Sequence, residues 1–381
     1  MNDHIAGRHA RRGVNRRGFL AAAGLTAFGA AVATTAQGWA GSAKAAGTFR
    51  VPAEDVRHTR TWMAWPDRTA IWGSDLSGVQ ADIALIARTI AKYEPVVMCA
   101  NSASAAKARS MCGSTVTVIS SIPVDDCWMR DTGPVFRIDG SGALDAVGLG
   151  FNGWGNRQTH ARDALVAERI AAYAGAPFSY ADLVGEGGAI EQDGAGTLMA
   201  TRSSLVNSNR NPGMSQSALE TAMCDAYGAT EVIWFDGVKG QDITDDHVDA
   251  TSRFLAAGKA LVQVPLASDN DAFAKDARQQ YQILSTSKTA TGTAMTVSKL
   301  QGPDYSKIRS ANQNFLASYA NYYLCNGAVI SAHFGDTTAD KAAKATLARL
   351  YPDRVIEQLN IDHLGTGGGG IHCVTQQQPV A

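Results

Sequence analysis

Gly188-Ala-Ile-Glu-Gln-Asp193-Gly194-Ala-Gly-Thr-Leu-Met-Ala-Thr201 contains the clearest turn signal in the chain. Asp193-Gly194 stands between two strand-like runs, and this dipeptide is typical of a tight hairpin. A run with apolar residues at helical spacing follows, and then a short apolar run rich in β-branched and aromatic residues. The predicted elements are strands at 188–193 and 197–201, a helix at 215–227 and a strand at 231–235.

The same order of strand, turn, strand, helix and strand recurs along the chain. It predicts about five units, spaced roughly 55 to 75 residues apart, whose sequences are not alike. Equivalent strands of five units can surround a central axis as blades do, so we expect an α/β propeller built from ββαβ units. Residues 61–120 form the least regular unit, and the others have strands at 134–138, 143–149, 250–255, 260–264, 295–299, 319–325, 328–331 and 354–359, with helices at 162–173, 269–285 and 339–351.

Reactive side chains stand at the same point of successive units. Asp131 precedes the second unit, Glu186 the third, His247 and Asp249 the fourth, and Cys373 follows the fifth. Acidic residues also cluster in ordinary loops before strands, so one such residue would mean little. Because equivalent positions of propeller units meet at the axis, the shared register favours a single site there.

Cys373 follows a run of four glycines, Gly367 to Gly370. Glycines let a backbone approach a ligand closely and give a loop the mobility of a lid. A buried structural cysteine beside a glycine-rich turn would look the same, so this segment alone does not establish a nucleophile.

His247 and Asp249 belong to the acidic run Asp245-Asp-His-Val-Asp249. In a strand both side chains would project from the same face, and a histidine beside a carboxylate keeps its proton more readily. This pair therefore predicts acid–base chemistry near neutral pH. Metal binding is the rival interpretation, but the chain has no HExxH or paired ligand motif.

Trp128 and Asp131 lie in the run Asp125-Asp-Cys-Trp128-Met-Arg-Asp131. A flat cation can stack on an aromatic ring while it binds a carboxylate, although a salt-bridged loop is the simpler interpretation. The run Gly148-x-Gly150-x-x-Gly153 matches a dinucleotide fingerprint. It continues as Trp154-Gly-Asn rather than into a helix, so we do not assign it that function.

Together these residues suit a guanidinium substrate. Carboxylates bind the planar N–H fork of a guanidinium in pairs, and this leaves its central carbon open to a thiolate. Cys373 would be the nucleophile, with a neighbouring cation holding the thiol ionised. A papain-like protease also uses cysteine and histidine, but its cysteine precedes its histidine in the chain, the reverse of the order here.

Six motifs in order give the chain a close resemblance to the agmatine deiminases, and bacterial peptidylarginine deiminases share the set. The resemblance covers roughly residues 59–379, and its motifs are Trp128-Met-Arg-Asp131-Thr-Gly-Pro134, Glu186-Gly-Gly188, Asn207-x-Asn209-Arg210-Asn211-Pro212, His247-Val-Asp249, Ser318-Tyr-x-Asn321 and Gly370-Ile-His-Cys373-Val-Thr-Gln-Gln377. It implies the five-bladed pentein fold and hydrolysis of a C–N bond of a linear amidine, through a thiouronium intermediate on the cysteine.

The resemblance also implies a role for each matched residue. Cys373 would attack the guanidinium carbon, and Asp131 and Asp249 would hold its nitrogens. Glu186 would assist in binding, and His247 would protonate the departing ammonia and then activate water. Other matched positions would shape the substrate site; they are Trp128, Asn321 and Gly368 to Gly370. No metal or organic cofactor is implied.

Two positions depart from the agmatine deiminase pattern. Ile243 stands where the family usually has an acid, and Asp246 replaces a glycine. A missing acid near the site weakens the case for agmatine, whose far end carries a second cation. Hydrolysis of agmatine to N-carbamoylputrescine, as in putrescine biosynthesis, is the first expectation, and deimination of arginine in peptides is the alternative. A related amidinotransferase and a non-catalytic guanidinium-binding protein are remoter alternatives.

The first 45 residues have the order of an export signal. Arginines, among them Arg16 and Arg17, precede an uncharged run from Gly18 to Ala43, and Ala43-Lys-Ala45 offers small residues for cleavage. The twin arginine predicts export by that route to the periplasm or the cell exterior. A membrane anchor is the alternative, but the run is rich in alanine and glycine rather than leucine. Residues 46–381 are expected to form a single catalytic domain.

Removal of that segment changes the net charge. The whole chain of 381 residues has a net charge of −1, and the segment holds six basic residues and one acidic residue, so the remainder carries −6. An acidic surface does not suit nucleic acid and agrees with a small cationic substrate. The six cysteines form no CxxC pair, which disfavours a zinc ribbon. Export would permit disulfides. A free Cys373 leaves an odd number of others, so at least one more thiol is unpaired.

Overall fold

The unit that begins at Gly188 is built as the sequence predicts. In the computed structural model, which describes residues 48–381, two antiparallel strands pair Ile190 with Ala200, and the second strand runs parallel to the third. The helix between them starts after Ser215, whose side chain accepts from Ala218 N–H as an N-cap. The elements are strands Ile190–Gln192, Thr197–Thr201 and Glu231–Phe235 and helices Arg202–Leu205 and Gln216–Tyr227.

Three further units repeat this arrangement in sheets of three strands. Each has an antiparallel pair followed by a parallel crossover through a helix, so the predicted ββαβ pattern is confirmed. Their strands are Val135–Ile138, Leu144–Gly148 and Phe178–Tyr180; Ser252–Ala256, Lys259–Val264 and Thr296–Gln301; and Tyr323–Cys325, Ala328–Ala332 and Val355–Leu359. Their main helices are Val166–Ala174, Ala272–Thr286 and Thr337–Leu350.

The least regular unit is completed by the end of the chain. Strand Gln376–Pro379 pairs antiparallel with His58–Ala64, which in turn runs parallel to Val96–Cys99. This restores the order seen in the other four sheets and adds a fourth strand. The pairing joins the two ends of the described chain and covers an edge that would otherwise expose unpaired backbone groups. The other elements of this unit are helices Thr69–Trp72, Leu76–Ile90 and Ala105–Cys112 and strand Val116–Ile119.

A single helical turn precedes the first strand of several units. These turns span Met129–Thr132, Gly187–Ala189, Val248–Ala250 and His372–Val374, and they contact one another in sequence around the axis. They carry or adjoin the residues that the sequence predicted to converge. Further short turns are Gly73–Asp75, Gly153–Asn156, Asp163–Leu165 and Asp362–Gly365.

His247 and Asp249 do not lie on a strand. His247 directly precedes the turn Val248–Ala250, and the strand begins only at Ser252. The cause is the backbone before them, because Asp245 and Asp246 both have positive φ, 60° and 72°. These left-handed residues turn the chain towards the axis, and Asp246 occupies the position where the family has glycine, the residue that adopts this conformation most readily.

Apolar faces of the helices pack on the sheets. Leu76–Ile90 buries Val79, Ile83, Ile86 and Ile90, spaced as one stripe of a helix. The six cysteines are all free thiols, and four of them are buried. Across residues 48–381 no helix has both the length and the apolar character needed to cross a bilayer. The predicted export signal, residues 1–45, lies outside the described residues.

Candidate active site

Cys373, His247, Asp131, Asp249 and Trp128 line one cavity of about 960 Å³. The helical turns around the axis bring these residues together from distant parts of the sequence. Two other predicted substrate contacts, Asn321 and Gly370, lie behind the cysteine and do not line the cavity. The predicted set is therefore assembled in one place, but its members have different positions relative to the opening.

Cys373 is partly exposed to the cavity and is held by Asn321. The Asn321 Nδ2 donates to Cys373 Sγ over 3.4 Å, and its Oδ1 accepts from the backbone N–H of His372 at 3.0 Å. A Cβ on Gly370 would lie 2.6 Å from that same oxygen, so only glycine leaves the amide in place. Asn321 and Gly370 thus orient the thiol.

The thiol is not ionised by its surroundings. Burial, and then the nearby carboxylates of Asp249 and Asp131, hold the pKa of Cys373 well above its ordinary value. Asp249 Oδ2 lies 3.9 Å from Sγ. The expectation that a neighbouring cation keeps the thiol ionised therefore does not hold for the free protein. A cation that enters the cavity would favour the thiolate.

The two aspartates that line the cavity both offer carboxylate acceptors. Asp131 Oδ2 accepts from Trp154 Nε1 at 3.0 Å and Oδ1 from Gly188 N–H at 3.1 Å, while burial raises its pKa to about 6. Asp249 Oδ2 lies 2.7 Å from His372 Nδ1. Its Oδ1 is buried and has no hydrogen-bond partner among the described residues. An unpaired buried acceptor is costly, so this oxygen is suited to a donor that arrives with the substrate.

His247 lies between two carboxylates. Its Nε2 is 3.3 Å from Glu186 Oε2, and its Nδ1 is 3.8 Å from Asp131 Oδ1. Burial alone would lower the pKa of the imidazole, but the charges of Asp131 and Glu186 outweigh it and raise the pKa to about 9. His247 is therefore an imidazolium at neutral pH and can donate a proton within the cavity.

Glu186 does not lie where a substrate contact, its predicted role, would place it. Its side chain is fully buried and does not line the cavity. Arg210 Nε donates to both of its oxygens, at 2.8 and 3.0 Å, and Arg210 Nη1 also donates to Asp245 Oδ2 at 2.9 Å. This buried network fixes Glu186 behind His247. It gives the Asn209-Arg210 motif a structural role that the sequence did not reveal.

Trp154 and Gly188 are site residues that the sequence analysis missed. A Cβ at Gly188 would lie 2.7 Å from His247 Nδ1 and 2.9 Å from Asp131 Oδ1, so a side chain there would displace both groups. Trp154 belongs to the glycine-rich run that resembles a dinucleotide motif, and its φ of 53° turns the indole towards Asp131. The matched motif Glu186-Gly-Gly188 was the available signal for the glycine.

Two tryptophans support the glycine run before the nucleophile. Trp72 and Trp128 lie 5.8 Å apart, and both donate their Nε1–H to Asp126, at 2.8 and 2.9 Å. A Cβ on Gly367 would lie 2.4 Å from Trp72, and one on Gly369 would lie 2.2 Å from Trp128. The glycines are therefore required for close packing of the loop on these rings.

The comparisons with known proteins agree with this geometry. The family described as Porphyromonas-type peptidyl-arginine deiminase matches residues 50–379. A provisionally named agmatine deiminase of Streptomyces coelicolor is 38% identical, over 87% of this chain and 99% of its own length. The agmatine deiminase of Pseudomonas aeruginosa strain LESB58 is 34% identical, over 87% of this chain and 95% of its own.

A solved structure gives the same result for the fold. The agmatine deiminase of Enterococcus faecalis superposes with a TM-score of 0.82 at 28% identity, and the match covers 87% of this chain and 96% of that one. The expected pentein propeller is confirmed. With matches that span nearly all of residues 50–379, the chain belongs to the agmatine deiminase and Porphyromonas-type peptidyl-arginine deiminase family.

Proposed function

We propose that the chain hydrolyses the guanidinium group of agmatine to a ureido group and ammonia, with Cys373 as the nucleophile. Family membership makes it a hydrolase of C–N bonds. The observation that carries the proposal is the convergence of Asp131, Asp249 and the Cys373 thiol on one cavity, where Asp249 also keeps a buried Oδ1 without a hydrogen-bond partner among the described residues. Two carboxylates and a sulfur around one space fit the edges and the central carbon of a guanidinium.

The first half of the reaction forms a covalent intermediate. The substrate cation donates N–H bonds to Asp131 and Asp249, and its charge offsets the carboxylates that raise the thiol pKa. The thiol then releases its proton to water, and Sγ attacks the guanidinium carbon. His247 gives its proton to one amino group as that C–N bond breaks. Ammonia leaves, and a thiouronium remains bound to Cys373.

The second half restores the enzyme. His247, now neutral, takes a proton from a water molecule, whose oxygen attacks the thiouronium carbon. The C–S bond breaks as the C=O bond of the ureido product forms, and the hydroxyl proton of the intermediate passes to the leaving sulfur, so that Cys373 is again a thiol. Glu186 and Asp131 stabilise the imidazolium that forms again, because both carboxylates lie within 4 Å of the ring nitrogens.

The cavity supports agmatine as substrate and leaves room for a larger one. Further carboxylates line the cavity and can pair with the substrate's second ammonium; they are Asp75, Asp242, Asp269 and Asp271. The similarity to agmatine deiminases of Pseudomonas aeruginosa and, by provisional name, of Streptomyces coelicolor supports agmatine. The family description and the cavity volume of about 960 Å³ favour arginine in peptides as a second candidate.

The test is a panel of agmatine, free arginine and arginyl peptides, with ammonia and ureido release measured for the wild type and Ile243→Glu. Ile243 lines the cavity and is half-buried. We expect agmatine turnover by the wild type and a higher kcat/KM for agmatine in the variant, because an acid there would pair with the ammonium. A neutral-tailed guanidine should show little change and is the control. Equal improvement of both would mean that residue 243 does not face the tail, and absence of agmatine turnover would reject agmatine as substrate.

We also propose that the chain is exported by the twin-arginine route. The support is the sequence Asn15-Arg16-Arg17-Gly18-Phe19-Leu20 at the start of the uncharged run. Residues 1–47 lie outside the described structure. Replacement of Arg16 and Arg17 with lysine should leave the protein in the cytoplasm, because this pathway recognises the paired arginines. Fractionation of cells that express the wild type or the double variant would show the difference. Equal export of both would contradict the proposal.

A further inference from the structure

His372 and Cys373 are consecutive residues that face different cavities. Cys373 lines the large cavity, whereas His372 lines a second, smaller cavity of about 40 Å³ that also contains Glu54 and Glu191. Asp249 lies between them, because it lines the large cavity and contacts His372. The side chains around the small cavity have no role in the proposed mechanism.

Three side chains form a continuous hydrogen-bonded series from the active site to that cavity. Asp249 Oδ2 lies 2.7 Å from His372 Nδ1, and His372 Nε2 lies 2.9 Å from Glu54 Oε2. Both ring nitrogens are therefore held, and the imidazole cannot turn without losing both bonds. Since His372 occupies Oδ2 of Asp249, the other oxygen of this carboxylate is left without a partner among the described residues.

Glu54 belongs to a segment, residues 49–57, that precedes the first strand and is tied to several units. The backbone of Arg50 pairs with Ile138, and Val51 N–H donates to Tyr227 O at 3.0 Å. Glu54 itself accepts from Leu324 N–H at 3.0 Å. These contacts reach the second, third and fifth units, so the position of the carboxylate depends on the assembled propeller.

Arg253 from the fourth unit completes the setting of Glu54. Its Nη2 donates to Glu54 Oε2 at 2.7 Å, and its Nε lies 2.7 Å from Glu191 Oε1. The side chain of Arg253 is almost fully buried, and its guanidinium carbon lies 4.7 Å from the ring centre of Tyr322. Glu54 is thus held from two sides, by Arg253 and by Leu324.

We propose that Glu54 is a positioning residue for guanidinium hydrolysis, which acts through His372 to hold Asp249 in the orientation that binds the substrate. The inference rests on the proposed function and extends it, because it makes the segment before the propeller a part of the active site. Residues that orient a catalytic residue without touching the substrate commonly contribute a factor of about ten or more to activity.

A metal site is the other interpretation of the same cluster. Glu54, Glu191 and His372 bring their ligand atoms within 4.8 Å of one another. Arg253 already binds both carboxylates, however, and Arg130 Nη2 lies 3.9 Å from Glu54 Oε2. Two fixed guanidinium groups supply the positive charge that a cation would bring, so the geometry favours an orienting role.

The state of Asp249 links Glu54 to the pH dependence of activity. Burial would raise the pKa of Asp249, but the hydrogen bond and charge of His372 outweigh it and lower the pKa below its ordinary value. A looser His372 would let that pKa rise, so below the pKa of about 6 of Asp131 the second protonation, at Asp249, would begin at higher pH. The charged groups beside His372 are Asp249, Glu54, Glu191 and Arg130, and the other charged groups that act on Asp249 are His247, Asp131 and Arg253.

The experiment compares Glu54→Ala, Glu54→Gln and the control Glu191→Gln. Glu191 shares Arg253 with Glu54 but lies 4.0 Å from His372 Nε2 and makes no hydrogen bond to it. We measure kcat/KM against pH, with agmatine or whichever guanidine the wild type hydrolyses best. Thermal unfolding of each variant shows whether it is folded at the assay temperature.

We expect Glu54→Ala to lower kcat/KM about tenfold or more and to move the steep, two-proton part of the acid limb to higher pH. Glu54→Gln, which keeps an acceptor but no charge, should show the same shift to a smaller extent, and it decides the question if the alanine variant does not fold. Glu191→Gln should keep the wild-type acid limb. Wild-type pH profiles in both Glu54 variants, or an equal shift in Glu191→Gln, would overturn this inference and leave the proposed function standing. A wild type that hydrolyses no guanidine would reject the proposed function, and this inference with it.

Discussion

Cys373→Ala is expected to lower kcat/KM for guanidinium hydrolysis by more than ~10³-fold, because no covalent intermediate can form without the sulfur. The fold should persist, since the side chain is small, partly exposed and outside any disulfide. Cys224→Ala is the matched control. Cys224 is the other partly exposed cysteine, and it lies on a helix that does not line the cavity.

Ammonia release by the two variants decides between a nucleophile and a structural cysteine. Substantial activity in Cys373→Ala, or an equal loss in Cys224→Ala, would reject Cys373 as the nucleophile. Alkylation gives a second measurement on the wild type. Since burial and Asp249 raise the pKa of Cys373, iodoacetamide should modify it slowly at neutral pH and faster as the pH rises. Mass spectrometry of the peptide that contains Cys373 separates this reaction from modification at Cys224.

Much of the fold could be predicted from local signals. Asp193-Gly194 and Asn326-Gly327 both stand at the hairpins that the sequence indicates, and helical periodicity gives Gln216–Tyr227 nearly to its ends. These signals are local because a turn dipeptide and a buried helical face act within a few residues. The convergence of residues from successive units followed from their register alone.

Closure of the propeller could not be predicted in the same way. Gln376–Pro379 pairs with His58–Ala64, and more than 300 residues of chain separate the two strands. Pairing over such a distance leaves no periodicity in either segment, because each strand is defined by a partner that its own sequence does not show. The first unit is therefore irregular in sequence, because one of its strands comes from the other end of the chain.

Side-chain direction explains the errors at the site. Glu186 was predicted to contact substrate, yet Arg210 holds it in the interior behind His247. Trp154 was set aside with a discarded motif, although it donates to Asp131. Each depends on where a turn directs a side chain, as at Trp154 with its φ of 53°, and composition does not report such angles.

The charges that line the cavity indicate which kind of substrate it suits. Asp131, Asp249 and Glu186 surround His247, and Arg157, which also lines the cavity, is paired with Asp245. Burial raises the pKa of Asp131 to about 6, so its ionised form is disfavoured relative to a solvated carboxylate. A cation with several N–H donors would relieve both this excess of negative charge and the unpaired Asp249 Oδ1.

Asp249→Asn is therefore expected to lower kcat/KM by about 30-fold to 5,000-fold. Removal of a buried charged partner costs about 2–5 kcal/mol, and each 1.4 kcal/mol is about tenfold in rate. Asparagine keeps the volume of the side chain, and its carbonyl oxygen can still accept from His372. The charge that pairs with the guanidinium is what the variant loses. Its second effect is a lower pKa for the Cys373 thiol, because Asp249 is one of the carboxylates that raise it.

Asp75→Asn is the control for this prediction, because Asp75 lines the same cavity but is exposed at its edge. With a neutral-tailed guanidine as substrate it should stay near the wild-type kcat/KM, since a solvated charge contributes little. Steady-state kinetics of the three proteins give the comparison, and alkylation of Cys373 against pH gives the thiol pKa. Normal kcat/KM in Asp249→Asn would show that the carboxylate does not bind the guanidinium. Slow turnover together with a thiol that ionises more easily would show that this carboxylate serves the substrate rather than the nucleophile.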